Sequence, residues 1–255
     1  MYTSFKPGVH IACLLLALLA PVVSFSADEP EPQPAAGQDV AFKFTSGLYQ
    51  LRGGGLPNAS ALDLNLRASS SLGNAWLGQF RSPSQSITQT RLGWDRQFDL
   101  GAVRLTPSLE VATGSYVGGS AYLEGGRTWV AGVGLSRTNL QNFINLNFDP
   151  GDAYTLAGGY RWADNRSLIL SLIRDNRLNP DQQNVHLIYR TPVNGDQRLT
   201  LDGLYKTGLV SGVTVRELGF SATYDWPRFF VRAAWDPKVN FTPQDMFRLS
   251  VGTRF

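Results

Sequence analysis

After Val23 the sequence has no apolar run long enough to cross a bilayer as a helix, which takes roughly 20 residues. Cysteine is nearly absent, and the one residue, Cys13, lies inside an N-terminal apolar run. The remainder of the chain therefore has neither a disulfide framework nor a cysteine metal site. Histidine is almost as scarce, with only His10 and His186, so no metal site is expected either. Lysine gives way to arginine, and beyond Lys6 only Lys43, Lys206 and Lys238 remain. The formal net charge of +3 is too small a surplus to point to nucleic acid. No cofactor is expected: Gly114–Gly119 and Gly125-Gly126 resemble no phosphate loop and read as flexible parts of an outer loop.

What is present points to export. Met1 to His10 is a short polar region carrying Lys6, and Ile11 to Val23 is an apolar run with Pro21 near its end. Ser24-Phe25-Ser26 offers small residues where a signal peptidase reads, so 1–26 is expected to be a signal peptide. Residues 27–39 carry prolines among acids and are expected to form an extended, solvated periplasmic segment. From Val40 to Phe255 a single domain is expected, in which apolar and polar residues alternate between regularly spaced turn signals.

That alternation predicts strands near 42–52, 59–68, 74–81, 86–98, 102–113, 126–137, 141–149, 152–163, 165–175, 182–191, 197–207, 212–224, 228–236 and 245–255. The total is fourteen, or twelve if two of these are halves of longer strands. A chain with no long apolar run can still span a membrane as a barrel, because alternating strands never produce one. The last segment carries Phe247, Leu249, Val251 and Phe255 on one face and Arg248, Ser250, Gly252 and Arg254 on the other. It reads as the closing strand of an outer-membrane barrel. The expected fold is all-β, a closed antiparallel transmembrane β-barrel in the outer membrane of a Gram-negative bacterium. A soluble β-sandwich or lipocalin-like barrel would show the same period with its apolar face turned inward.

Even strand number places both termini on the periplasmic side. The short turns Asp99-Leu-Gly101, Arg137-Thr-Asn139, Ala163-Asp-Asn165, Val193–Asp196 and Asp225-Trp-Pro227 are expected there. Gly114–Gly126, Asn176–Asp181 and Asp236–Asp245 are expected to be outer loops, as is the tight Asp149-Pro-Gly-Asp152. Trp94, Trp162, Trp226 and Trp235 fall near strand ends, where girdle aromatics meet lipid headgroups.

The polar face is expected to line the lumen with Arg67, Arg91, Arg104, Arg161, Arg190, Arg232, Arg248 and Arg254, opposed by Asp63, Asp95, Glu110 and Asp202. Arginine outnumbers carboxylate in that set, so the lumen favours anionic or saccharide solutes unless these groups simply pair and fill it. Arg216 and Glu217 stay unassigned, because the register slips near Val215 as at a bulge. His186 faces inward, with Ser171 as a possible neighbour on the adjacent strand, the one arrangement that would suit a lipid-modifying hydrolase. No carboxylate pair is marked by a motif. The readings are a small channel or envelope component, a lipid- or glycan-modifying enzyme, or a structural barrel whose loops meet partners. Expected partners are outer-membrane lipid and lipopolysaccharide, and the barrel assembly machinery through the strand ending at Phe255.

From Asp152-Ala-Tyr-Thr-Leu-Ala-Gly-Gly-Tyr160 to Phe255, the order of strands and loops resembles the YaiO-type outer-membrane β-barrel family. The matching points are Gly158-Gly159, the Tyr205–Gly208 segment and the closing strand. The resemblance implies an envelope or exopolysaccharide setting and transfers no catalytic set. The first seven strands are similar, more loosely, to small oligosaccharide-specific porins with arginine-lined walls.

Overall fold

The computed structural model describes residues 39–146, 149–210 and 212–255. The expected leader and all of the proline-rich segment except Asp39 lie outside the described residues. The described chain is nearly all strand. In order these are β1 (Val40–Arg52), β2 (Ala59–Ser70), β3 (Gly73–Ser82), β4 (Ile87–Asp95), β5 (Phe98–Asp99), β6 (Val103–Ala112), β7 (Tyr116–Gly125) and β8 (Trp129–Thr138). There follow β9 (Ala153–Arg161), β10 (Ser167–Asp175), β11 (Gln183–Pro192), β12 (Arg198–Val210), β13 (Val213–Asp225), β14 (Phe229–Asp236) and β15 (Asp245–Arg254). The two-residue β5 extends one hairpin by pairing with β6. The other fourteen form the wall.

Neighbours in sequence pair antiparallel around the wall, and β4 pairs with β6 across β5. The ends meet where β1 pairs with β15, from Lys43 opposite Arg254 to Arg52 opposite Asp245. Beyond that ladder the Phe42 N–H donates to the Phe255 carbonyl at 2.7 Å, and the Phe255 N–H donates back at 3.0 Å. Closure leaves no free sheet edge, which is what a β-structure needs in a medium without water.

The polarity is inverted relative to a soluble fold. Each of the fourteen wall strands presents at least one exposed large apolar side chain outward, including Phe42, Leu77, Leu92, Leu156, Leu218 and Leu249. So continuous an apolar belt is far larger than the patches soluble monomers carry, and it suits contact with hydrocarbon. The alternate residues point inward and are polar: Asn184, Lys206 and Ser171 are fully buried. Aromatic rings gather at the end that holds both termini. Trp129 packs on Tyr160, Tyr160 on Trp162, Tyr224 on Trp226 and Trp226 on Phe229.

Two expected elements are corrected, and their errors cancel in the strand count. The stretch read as an outer loop, Gly114–Gly126, contains β7, and of the strand expected at 141–149 the described residues 141–146 and 149 form an irregular loop. Glycine hid β7: Gly118 lacks a Cβ because the Tyr116 ring occupies that space. The apolar pattern of 141–146 arises instead from packing inside the barrel, where Phe143 stacks on Tyr116 with ring centroids 4.1 Å apart. With one strand gained and one lost, Arg137-Thr-Asn139 moves from the end that holds the termini to the opposite, loop end. The register of β12 and β13 runs without a slip from Val210–Val213 to Arg198–Asp225, leaving Glu217 on the inner face and Arg216 on the outer.

Several inward rings lie over glycines of the wall. A Cβ added at Gly93 would fall into the Trp76 ring, one at Gly132 into Tyr122 and one at Gly252 into Phe230. Such aromatic-over-glycine pairs let a sheet curve tightly while filling the space inside it. Gly132→Ala is therefore expected to destabilise the refolded barrel by about 1–3 kcal/mol, the usual cost of overpacking. In a Tyr122→Ala background the same change should cost little. Equal losses in both backgrounds, measured by urea titration, would contradict the packing described. On the outer face, Leu249→Arg is expected to cost about 2–4 kcal/mol in lipid vesicles, as charge near a bilayer midplane does; no loss would contradict the lipid-facing assignment.

Candidate functional site

Among the described residues, polar groups converge in the lumen. All thirteen residues expected to line it lie on the inner face by the parity of their strands. The structure brings several into pairs. Arg91 contacts Asp63 directly, and Arg67 lies 3.6 Å from Asp95. Arg104 and Arg161 share Glu124, with Arg161 Nη2 donating at 2.9 and 3.1 Å to its two oxygens. Arg254 Nη2 donates to Asp225 at 2.5 Å, and the fully buried Lys206 contacts Asp236.

The expected surplus of arginine over carboxylate is thus largely offset. Glu124, Asp225 and Asp236 on the wall, and Asp149 and Asp152 in a loop, belong to the site and were missing from the sequence set. Glu124 was hidden because β7 was read as a loop. Asp225 and Asp236 sit at strand ends, where turn and lumen carboxylates look alike. Lys43, Arg198 and Lys206 are further inward cations.

The matched charges are not evenly spread. Near the end holding the termini lie Lys43, Arg67, Arg104, Arg161, Arg190, Arg198, Arg232 and Arg254, against Asp95, Glu124 and Asp225. Toward the loop end the balance reverses, with Asp63, Glu110, Asp175, Asp202, Glu217 and Asp236 facing Arg91, Lys206 and Arg248. The lumen is polarised along its axis.

The long connection between β8 and β9 folds inward. Gln89 holds it through Nε2 to the Asn142 carbonyl at 2.9 Å and Oε1 from the Ile144 N–H at 2.8 Å. Arg91 donates to the Ile144 carbonyl and Arg248 to that of Leu146, both at 3.1 Å. Ile144 and Leu146 pack on the cluster of Tyr49, Ala61, Phe80, Val239 and Met246. The β14–β15 connection also turns in, burying Val239 and Phe241, and Phe241 lies 5.7 Å from the Lys206 ammonium.

His186 anchors the loop to the wall. Its Nδ1 lies 3.1 Å from both Asp202 oxygens and its Nε2 lies 3.1 Å from Asp149 of the loop, while Asn184 donates to Asp149 at 2.9 Å. Ser171 pairs with His186 across β10 and β11, but it is fully buried and its hydroxyl has no hydrogen-bond partner. Both ring nitrogens are committed to carboxylates, so nothing is left to take a proton from Ser171, and the hydrolase geometry is not formed.

These loops leave a cavity of about 710 Å³ along one side of the lumen. It is lined from Asn74 and Gln97 near the end with the termini to Gln141 and Leu178 at the loop end, past Arg91, Arg248, Asp63 and Glu110. The opposite side is filled by Ile169, Ile173, Ile188 and Leu204. Asp149→Ala is expected to free the loop, raising amide exchange over 141–146 without changing exchange in the wall strands. Unchanged exchange in that segment would contradict the anchoring role of the His186–Asp149 contact.

No family model matches the chain, and no curated protein matches it. Among solved structures, it is similar to the Acinetobacter baumannii outer membrane protein Omp33, at 11% identity and TM-score 0.49, covering 84% of this chain and 97% of that one. A porin of Rhodopseudomonas blastica, as a mutant, aligns at 11% identity and TM-score 0.45 over 85% and 99%. The NanC porin aligns at 10% and 0.46 over 82% and 98%. The assignment as a closed barrel of fourteen wall strands rests on the strand pairing itself.

Proposed function

We propose that the chain is an outer-membrane channel for small polar solutes, exported through its N-terminal leader and inserted with both termini in the periplasm. The observation that carries this reading is the polar cavity lined from one mouth of the barrel to the other. The inward loop borders this cavity through Gln141, Phe143, Asn145 and Leu146. Charged groups of both signs along the walls suit hydrated, hydrogen-bonding solutes, anionic or saccharide, over apolar ones. The arginines Arg67, Arg91, Arg232 and Arg248 line the path itself. Arg104, Arg161, Arg190 and Arg254 strengthen the positive field at one mouth. The closing strand supplies the signal to the assembly machinery, and lipid and lipopolysaccharide meet the outer belt. An exopolysaccharide setting follows from the YaiO-type resemblance and would make a saccharide the solute.

Reconstituted in planar bilayers with potassium chloride, the protein should give discrete conductance steps. Replacing 141–146 with a Gly-Ser segment of the same length should raise step size severalfold, because the side chains that border the cavity there are removed. Silence at every voltage from both proteins would overturn the channel reading.

A further inference from the structure

We propose that the lumen wall formed by β11–β15, at the mouth near the termini, is a binding site for a phosphate-class oxyanion, with Arg198 and Arg254 as its principal donors. The inference deepens the channel reading and rests on it for placing this mouth in the periplasm.

Three cations and one carboxylate converge there. Arg198 on β12 lies opposite Asp225 on β13, and Asp225, Arg190 and Arg254 are the charges that act on it. Arg254 reaches Asp225 with Nη2 and the Trp226 carbonyl with Nη1 at 3.2 Å. One carboxylate is thus set against three guanidinium groups, leaving a local surplus of positive charge. The charge polarisation of the lumen adds Lys43 and Arg232 to the same wall.

Buried guanidinium nitrogens without a hydrogen-bond partner are concentrated at the same place. Arg198 Nε and Nη2, Arg254 Nε and the Thr200 hydroxyl are buried with no hydrogen-bond partner in the protein, against a single unpartnered acceptor there, Asp225 Oδ2. Thr200 is 2% exposed and lies one inward position along β12 from Arg198. A buried guanidinium N–H without an acceptor is costly, so several on one wall point to an acceptor carrying several oxygens. A tetrahedral oxyanion meets that need, because planar guanidinium forks bind phosphoryl oxygens in pairs. Elsewhere in the lumen Arg91 leaves Nε without a partner but spends Nη2 on Asp63 and Nη1 on the Ile144 carbonyl, whereas Arg198 has two nitrogens without one.

The test is titration of the folded barrel in detergent with inorganic phosphate, followed by ³¹P line broadening and calorimetry. Saturable binding is expected, weakened about tenfold or more by Arg198→Gln and by Arg254→Gln, as loss of a charge-assisted contact does. Asp225→Asn should tighten binding, since it removes the competing negative charge. Arg166→Gln removes the same unit of charge from the exposed turn at this mouth, where Arg166 pairs with Asp164, and should leave affinity unchanged. Displacement of phosphate by glucose 6-phosphate would identify a phosphoryl-bearing solute as the ligand, and its failure would identify the free anion; both support the site. No saturable binding, or equal weakening by Arg166→Gln, overturns the inference. A barrel that conducts but binds no phosphate refutes this site alone, whereas one that binds phosphate and never conducts refutes the channel alone.

Discussion

Backbone hydrogen bonding constrains everything else in this molecule. A chain without a spanning helix can cross hydrocarbon only if every strand finds two neighbours, since each unpaired peptide group in lipid costs several kcal/mol. The β1–β15 ladder meets that demand by joining the two ends of the domain. Once the wall closes, each strand has one face to the outside and one to a narrow interior, so side-chain chemistry follows from parity alone.

The interior then has its own requirement. Charged groups taken from water are costly unless they are paired and hydrogen-bonded. Lys206, fully buried, is held by its ion pair with Asp236, by the Lys238 carbonyl at 3.3 Å and by the Phe241 ring. The inward β8–β9 loop extends the same logic: its carbonyls accept from Nη1 of Arg91 and of Arg248, and Asp149 pairs with His186. Loop and wall satisfy one another, which leaves one side of the barrel packed and the other side open. On the β11–β15 wall near the termini, Arg198 leaves two nitrogens and Arg254 one without a partner, and that concentration of donors is what the oxyanion site rests on.

Period-two alternation made the fold class and the inner face legible in the sequence. Leu62, Leu64 and Leu66 against Asp63, Asn65 and Arg67 needed nothing beyond parity. Two regions resisted, for one shared reason: their pattern answers to the interior of the barrel instead of to lipid. In β7 a glycine that signals a loop, Gly118, makes room for Tyr116, as Gly132 on the neighbouring β8 does for Tyr122. In the 141–146 segment apolar residues that signal a lipid face pack on Tyr49 and Met246. Pairing was less legible still. Asp149 reaches His186 across 37 positions in sequence, and Glu124 was invisible as a partner for Arg104 until β7 was a strand. Counting arginines therefore overstated the charge of the lumen, because the carboxylates that offset them sit in loops and strand ends.

The inside-out polarity is tested most directly by single-site fluorescent probes at consecutive positions 247–251 of the closing strand, in protein reconstituted into vesicles. Brominated lipid is expected to quench probes at 247, 249 and 251, and aqueous iodide those at 248 and 250. A reversed alternation, or five probes all quenched from water, would contradict a barrel that turns its apolar face to lipid.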